Sequence, residues 1–150
     1  SAFYAQDPIY PTAKTVANFT LDILQTAGLA RDVILVGEGQ SELESDLARA
    51  ALTQGRTVTP ESLPENGLFF RADHFSLAKA GVPVLLLMGI AGGADLVEGG
   101  RTAGDQWVSD YISGCYHQTC DAWDPAWDLS GAVQDVELFR LESARSSMIH

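Results

Sequence analysis

The run VPVLLLM, from Val82 to Met88, admits few folds. It is apolar without alternation, so both of its faces need cover, as in a central strand of a parallel or mixed sheet. DVILVG, from Asp32 to Gly37, reads the same way, and so does TVANFTLDIL, an apolar stretch with a carboxylate near its end at Asp22. Between these runs the period changes. Ser41 and Glu44 have capping-box spacing, Leu43, Leu47, Ala50 and Ala51 form one apolar stripe, and Gly55 suits a helix C-terminus. RTVT at Arg56 to Thr59 reads as a short strand, Glu65-Asn66-Gly67 as a turn, and His74 to Ala80 as a short helix ended by Gly81. A last helix begins near Ser130, with Ala132, Val136 and Phe139 on one face.

This alternation predicts a three-layer α/β/α sandwich with a mostly parallel or mixed sheet. Strands are expected near Val16 to Asp22, Asp32 to Gly37 and Val82 to Met88, and helices near Ser41 to Gln54 and Ser130 to Ser146. Residues 1–12 hold two prolines and no period, and read as an irregular arm. Residues 89–106 are Gly-rich and aperiodic, and read as a long surface loop. At 150 residues and 46% hydrophobic content, the chain has the size and composition of one domain.

The formal charge of -11 and a pI near 4.4 disfavour nucleic acid and anionic membranes as partners, because phosphate-rich surfaces need clustered Lys and Arg. The nine basic residues are scattered. No apolar stretch approaches the roughly 18 residues that span a bilayer. Cys115 and Cys120 are too few for a disulfide scaffold and lack the company of a closed zinc site.

Few residues offer chemistry. Asp22 ends an apolar strand, where a carboxylate must reach water, a cation or a metal. His117 lies in GCYHQTCDAWDP, dense in polar and aromatic groups, and on its own reads equally as metal ligand, general base or surface residue. Asp73 and His74 either cap and pack a helix start or line a pocket at the strand ends, where open α/β sheets bind ligands. His150 is terminal and is assigned no role. Nucleophile-elbow, HExxH and phosphate-loop motifs are absent from the sequence.

Taken in order, TVANFTLDIL, ILVGEGQSELE, FFRADHFSLAKAGVPVLLL and YHQTCDAWDPAWDLSGAVQDVELF resemble successive blocks of the co-catalytic, two-zinc aminopeptidases, the family of bacterial leucyl aminopeptidase, aminopeptidase Y and glutamate carboxypeptidase. The resemblance runs from about Tyr10 to Phe139.

That resemblance implies that Asp22 and His117 are ligands of different zinc ions, and that Tyr116 stabilises the oxyanion of a tetrahedral intermediate. It places Asp73 and His74 near the pocket, with Ala72 where the family has Ser. The pair flanking His117 implies a local Cys115–Cys120 disulfide, and hence a secreted or periplasmic parent. The family's earlier His, its bridging carboxylate and its Glu-Glu pair belong upstream of these blocks, and no Glu-Glu pair occurs in this sequence. The chain is therefore expected to be the C-terminal half of a zinc-peptidase domain, inactive alone and with zinc weakly held or absent. Its expected partners are the missing N-terminal half or a second copy, and a peptide substrate once the site is complete. A non-catalytic module that binds or oligomerises is the competing expectation.

Overall fold

A computed structural model describes residues 1–146; His150 lies outside the described residues. The strands are β1 (Asn18–Asp22), β2 (Asp32–Val36), β3 (Thr57–Pro60) and β4 (Val84–Met88), and the helices are α1 (Ala2–Gln6), α2 (Leu43–Thr53), α3 (His74–Lys79), α4 (Gly100–Ser113) and α5 (Ser130–Ser146). The sheet runs β1-β4-β2-β3. β1 lies parallel to β4, β3 lies parallel to β2, and β2 meets β4 antiparallel, so the sheet is mixed as expected.

Two of the three apolar runs behave as argued, since every residue of β2 and β4 is buried, whereas β1 lies at the sheet edge and is only half-buried throughout. Successive side chains on a strand point to opposite faces, which sorts them into two cores. Val33, Leu35, Leu85 and Leu87 join Leu47, Ala50 and Ala51 of α2 and Leu138 and Phe139 of α5 on one face. On the other face Ile34, Val36, Leu86 and Met88 pack with Phe69, Phe75 and Leu77. These are the outer helical layers.

Glu44 holds the start of α2 by accepting the backbone N–H of Gly39, Gln40 and Ser41. The Ser41 hydroxyl accepts from Leu43, so both residues of the predicted capping box are engaged. Gly55 and Gly81 end their helices in the left-handed region.

Three sequence expectations change. Residues 1–12 are not wholly irregular, since α1 occupies Ala2–Gln6 and a 3₁₀ turn starts at Thr12. The face of α5 is shifted as well. Gly131, Asp135, Leu138, Phe139 and Glu142 are buried at helical spacing, whereas Val136 is 53% exposed. A polar residue displaced Val136 from the interior because it has an ionic partner. Arg56 donates from Nη2 to Asp135 Oδ1 at 2.7 Å and to the Asp32 carbonyl at 2.6 Å.

The third change concerns residues 89–106. Ala91, Ala94 and Leu96 are buried, and Gly100 opens α4. The segment is stitched to residues 29–31 by backbone bonds from Arg31 N–H to the Asp95 carbonyl and from Val97 N–H to the Leu29 carbonyl, each 2.8 Å. A Cβ on Gly104 would collide with the Ala94 backbone. The glycines here permit close backbone contact rather than a surface loop. Asp32 anchors the same region: its carboxylate accepts from Asp95 N–H at 2.8 Å and pairs with Arg101 at 2.7 Å. Among the described residues, no helix is long and apolar enough to cross a membrane.

Candidate functional site

Asp22 closes β1 opposite Met88, half-buried at the C-terminal end of the strand. The chain then turns sharply. Ile23 sits at φ 50°, a conformation that costs a β-branched residue roughly 1–3 kcal/mol. Its carbonyl accepts the Gly89 N–H at 2.8 Å, which ties the turn to the end of β4.

The opposite wall comes from α4 and the segment after it. Trp107 and Tyr111, one helical turn apart, stack at 5.5 Å with their planes 5° apart. Trp107 Nε1 donates to Thr26 Oγ1 at 3.1 Å, fixing α4 against the chain that leaves β1. Cys115 and Cys120 form a disulfide with Cα atoms 5.3 Å apart, as the family resemblance implied. Within the loop it closes, Tyr116 stacks on His117 at 4.0 Å and His117 adopts φ 60°. Backbone bonds from Tyr116 N–H to the Tyr111 carbonyl and from Gln118 N–H to the Cys115 carbonyl support that turn. His117 is exposed and Tyr116 half-buried.

Tyr111 is the meeting point of these parts. Its hydroxyl donates to Asp121 Oδ2 at 2.9 Å, and its ring lies 5.7 Å from that of Tyr116. Burial, reinforced by the Asp121 hydrogen bond and by the charges of Asp121, Tyr116 and Asp22, pushes its hydroxyl up to about 12. Tyr116 therefore meets this phenol ring to ring, and the Asp22 charge is near enough to act on it. Trp107, Tyr111 and Asp121 are not among the residues that the sequence alone singles out. The four-residue spacing of Trp107 and Tyr111 was the available signal, hidden because the Gly-rich start of α4 reads as loop.

A cleft of about 440 Å³ lies between the two walls. Ile23 and Leu24, next to Asp22, line it on one side, and Gly114 and Cys115, next to Tyr116 and His117, on the other.

Asp73 and His74 lie apart from this cleft. Asp73 stands at the N-cap of α3 but makes no side-chain cap bond, and its Oδ1 instead accepts from the Ser1 hydroxyl at 2.9 Å. His74 is 1% exposed, packs edge-on against Phe69 at 4.6 Å, and neither ring nitrogen has a hydrogen-bond partner among the described residues. Burial lowers its pKa, with the Asp73 charge opposing, which favours a neutral ring. The packing role considered for His74 is the one this geometry displays.

Among the described residues, no group of three or more His, Cys, Asp and Glu side chains is placed to hold a metal ion. A catalytic zinc takes about three protein ligands. Asp22 and His117 by themselves do not fit that requirement, and no reaction step through a metal follows from the residues in place.

No curated protein and no solved structure matches this chain significantly. The profile of Peptidase family M28 matches residues 1–139, nearly the whole length and all four sequence blocks. On that match this chain belongs to peptidase family M28.

Proposed function

We propose that this chain forms one wall of the active site of a zinc-dependent exopeptidase of the aminopeptidase kind. Asp22 and His117 would each supply one ligand to a metal whose other donors lie elsewhere, and Tyr116 would stabilise the oxyanion formed from the substrate carbonyl. The observation that carries this reading is a cleft lined by Ile23 and Leu24, which follow Asp22, and by Gly114 and Cys115, which precede Tyr116 and His117. Tyr116 and His117 follow that wall in the chain and are held by a disulfide and a ring stack rather than by burial. Such local bracing suits groups that must stay exposed to substrate yet keep their orientation.

The remaining metal donors and the general base come, on this reading, from polypeptide outside these segments. β1 has one strand neighbour among the described residues, so its outer edge, which ends at Asp22, can accept a further strand. The disulfide favours an extracytoplasmic parent.

Zinc titration in native mass spectrometry, paired with hydrolysis of an aminoacyl anilide, tests the assignment. The 150-residue chain should take up zinc weakly, and Asp22→Asn and His117→Ala should each weaken uptake further. Chelator-sensitive hydrolysis should appear only when the preceding polypeptide is supplied, since a general base alone contributes about 10² to 10⁴ in rate. Zinc uptake indifferent to both substitutions would remove the metal assignment. Robust hydrolysis by the chain alone would remove the division of the site.

A further inference from the structure

The cleft beside Asp22 is lined in a way that metal-assisted peptide hydrolysis does not itself require. Trp107, Tyr111 and Trp127 supply its aromatic surface, and Asp110 and Asp121 supply its charge. No Lys, Arg or His is among its lining residues. Both carboxylates are exposed, and each makes a hydrogen bond through one oxygen: Asp110 Oδ1 accepts from Gln106 at 2.7 Å and Asp121 Oδ2 from Tyr111 at 2.9 Å. These bonds hold the two acids beside the ring stack.

Aromatic faces attract cations through their negative quadrupole, and a carboxylate within reach adds a direct charge partner. The alkyl stem of Lys or Arg can lie along apolar surface while its head meets the acids. An anion would meet two like charges in a chain that already carries -11. A neutral apolar group could use the rings but would leave the acids idle. Volume is consistent, since about 440 Å³ holds a long side chain without closing over it.

We infer that this cleft receives the cationic side chain of a Lys or Arg residue in a peptide substrate. The inference rests on the exopeptidase reading for where the scissile bond lies, because Ile23 follows Asp22 and Cys115 precedes Tyr116 at the cleft walls. Asp110 and Asp121 are then specificity residues, and Trp107 and Tyr111 form the surface along which the stem lies.

Trp107 and Trp127 provide the readout. The metal-free 150-residue chain is titrated with lysinamide and with norleucinamide, which lacks only the terminal ammonium, while indole fluorescence is followed. Lysinamide should bind about 3- to 10-fold more tightly at low salt, as exposed cation–π and ion-pair contacts allow. In the Asp110→Asn/Asp121→Asn chain that preference should disappear. Should the double variant fail to fold, Asp110→Asn alone, on the exposed side of α4, should cut the preference about in half on a logarithmic scale.

Equal binding of the two amides, no binding of either, or a preference that survives the substitutions overturns the inference. The titration needs neither metal nor hydrolysis, so the two readings fail separately. Loss of the lysinamide preference with zinc uptake still dependent on Asp22 and His117 removes the cleft assignment alone. Retained preference without that zinc dependence removes the exopeptidase reading alone.

Discussion

The interior around Asp32 and the rim around His117 are held by opposite means. Around Asp32, 1% exposed, burial and charge pairing act together: Arg56 joins it to Asp135 while Arg101 and the Asp95 amide bind its carboxylate. Around His117 little is buried. A disulfide, a left-handed turn, one ring stack and one tilted ring contact fix a loop whose residues mostly face solvent. The interior gains order from removing water, and the rim gains it from local covalent and aromatic restraints. Such a division lets a rigid sheet carry an accessible site.

The largest expected effect lies in the interior. Arg56→Met leaves the Asp135 carboxylate buried without its cation and should cost about 3–5 kcal/mol in urea unfolding. Burial already drives the Asp135 pKa upward, with Arg56 the opposing influence, so removing the cation leaves the carboxylate uncompensated. Replacing both partners with Arg56→Met/Asp135→Leu should recover much of the loss. A single-variant loss below about 1 kcal/mol would mean that the interior does not depend on this pair.

Breaking the rim should cost less. For the six-residue loop closed between Cys115 and Cys120, the chain-entropy model gives about 2 kcal/mol. Cys115→Ser/Cys120→Ser should lower stability by that amount and raise hydrogen exchange at the backbone amides of Tyr116 and Gln118. Exchange in β2 and β4 should keep its rank as the slowest. Equal acceleration of the strands relative to the loop would erase the contrast between the two regions.

The smallest effect concerns pH. Tyr111 is raised from its ordinary 10.0 to about 12, so the protonated phenol is favoured in the folded chain. The sign follows: this contribution to stability is fully present below about pH 10 and is lost as pH climbs toward about 12. Ultraviolet titration should show one late phenolate step that Tyr111→Phe abolishes. A titration with no step near 12 would show that burial and the Asp121 hydrogen bond leave the phenol unperturbed.

Much of the fold was legible because its signals are local. The unbroken runs of β2 and β4 announce two covered faces, and Gly55 and Gly81 mark helix ends without reference to anything distant. The misreadings share a cause. Val136 looked like a core residue until Arg56, far away in sequence, drew Asp135 inside instead. Gly93 and Gly104 looked like loop residues because sequence cannot display the backbone contact that each one permits.

For the site, ordered blocks of residues pointed to Asp22, Tyr116 and His117, and to the disulfide beside them. Those are properties of type and order along the chain. That the Tyr111 and Tyr116 rings meet, that Trp107 and Tyr111 wall a cleft with Ile23 and Leu24, and that His74 is enclosed against Phe69 were decided only by the tertiary structure. Hydrophobic period and turn chemistry act over a few residues and are written into the sequence directly. Distances between side chains dozens of residues apart depend on how every layer packs, and no local pattern records them.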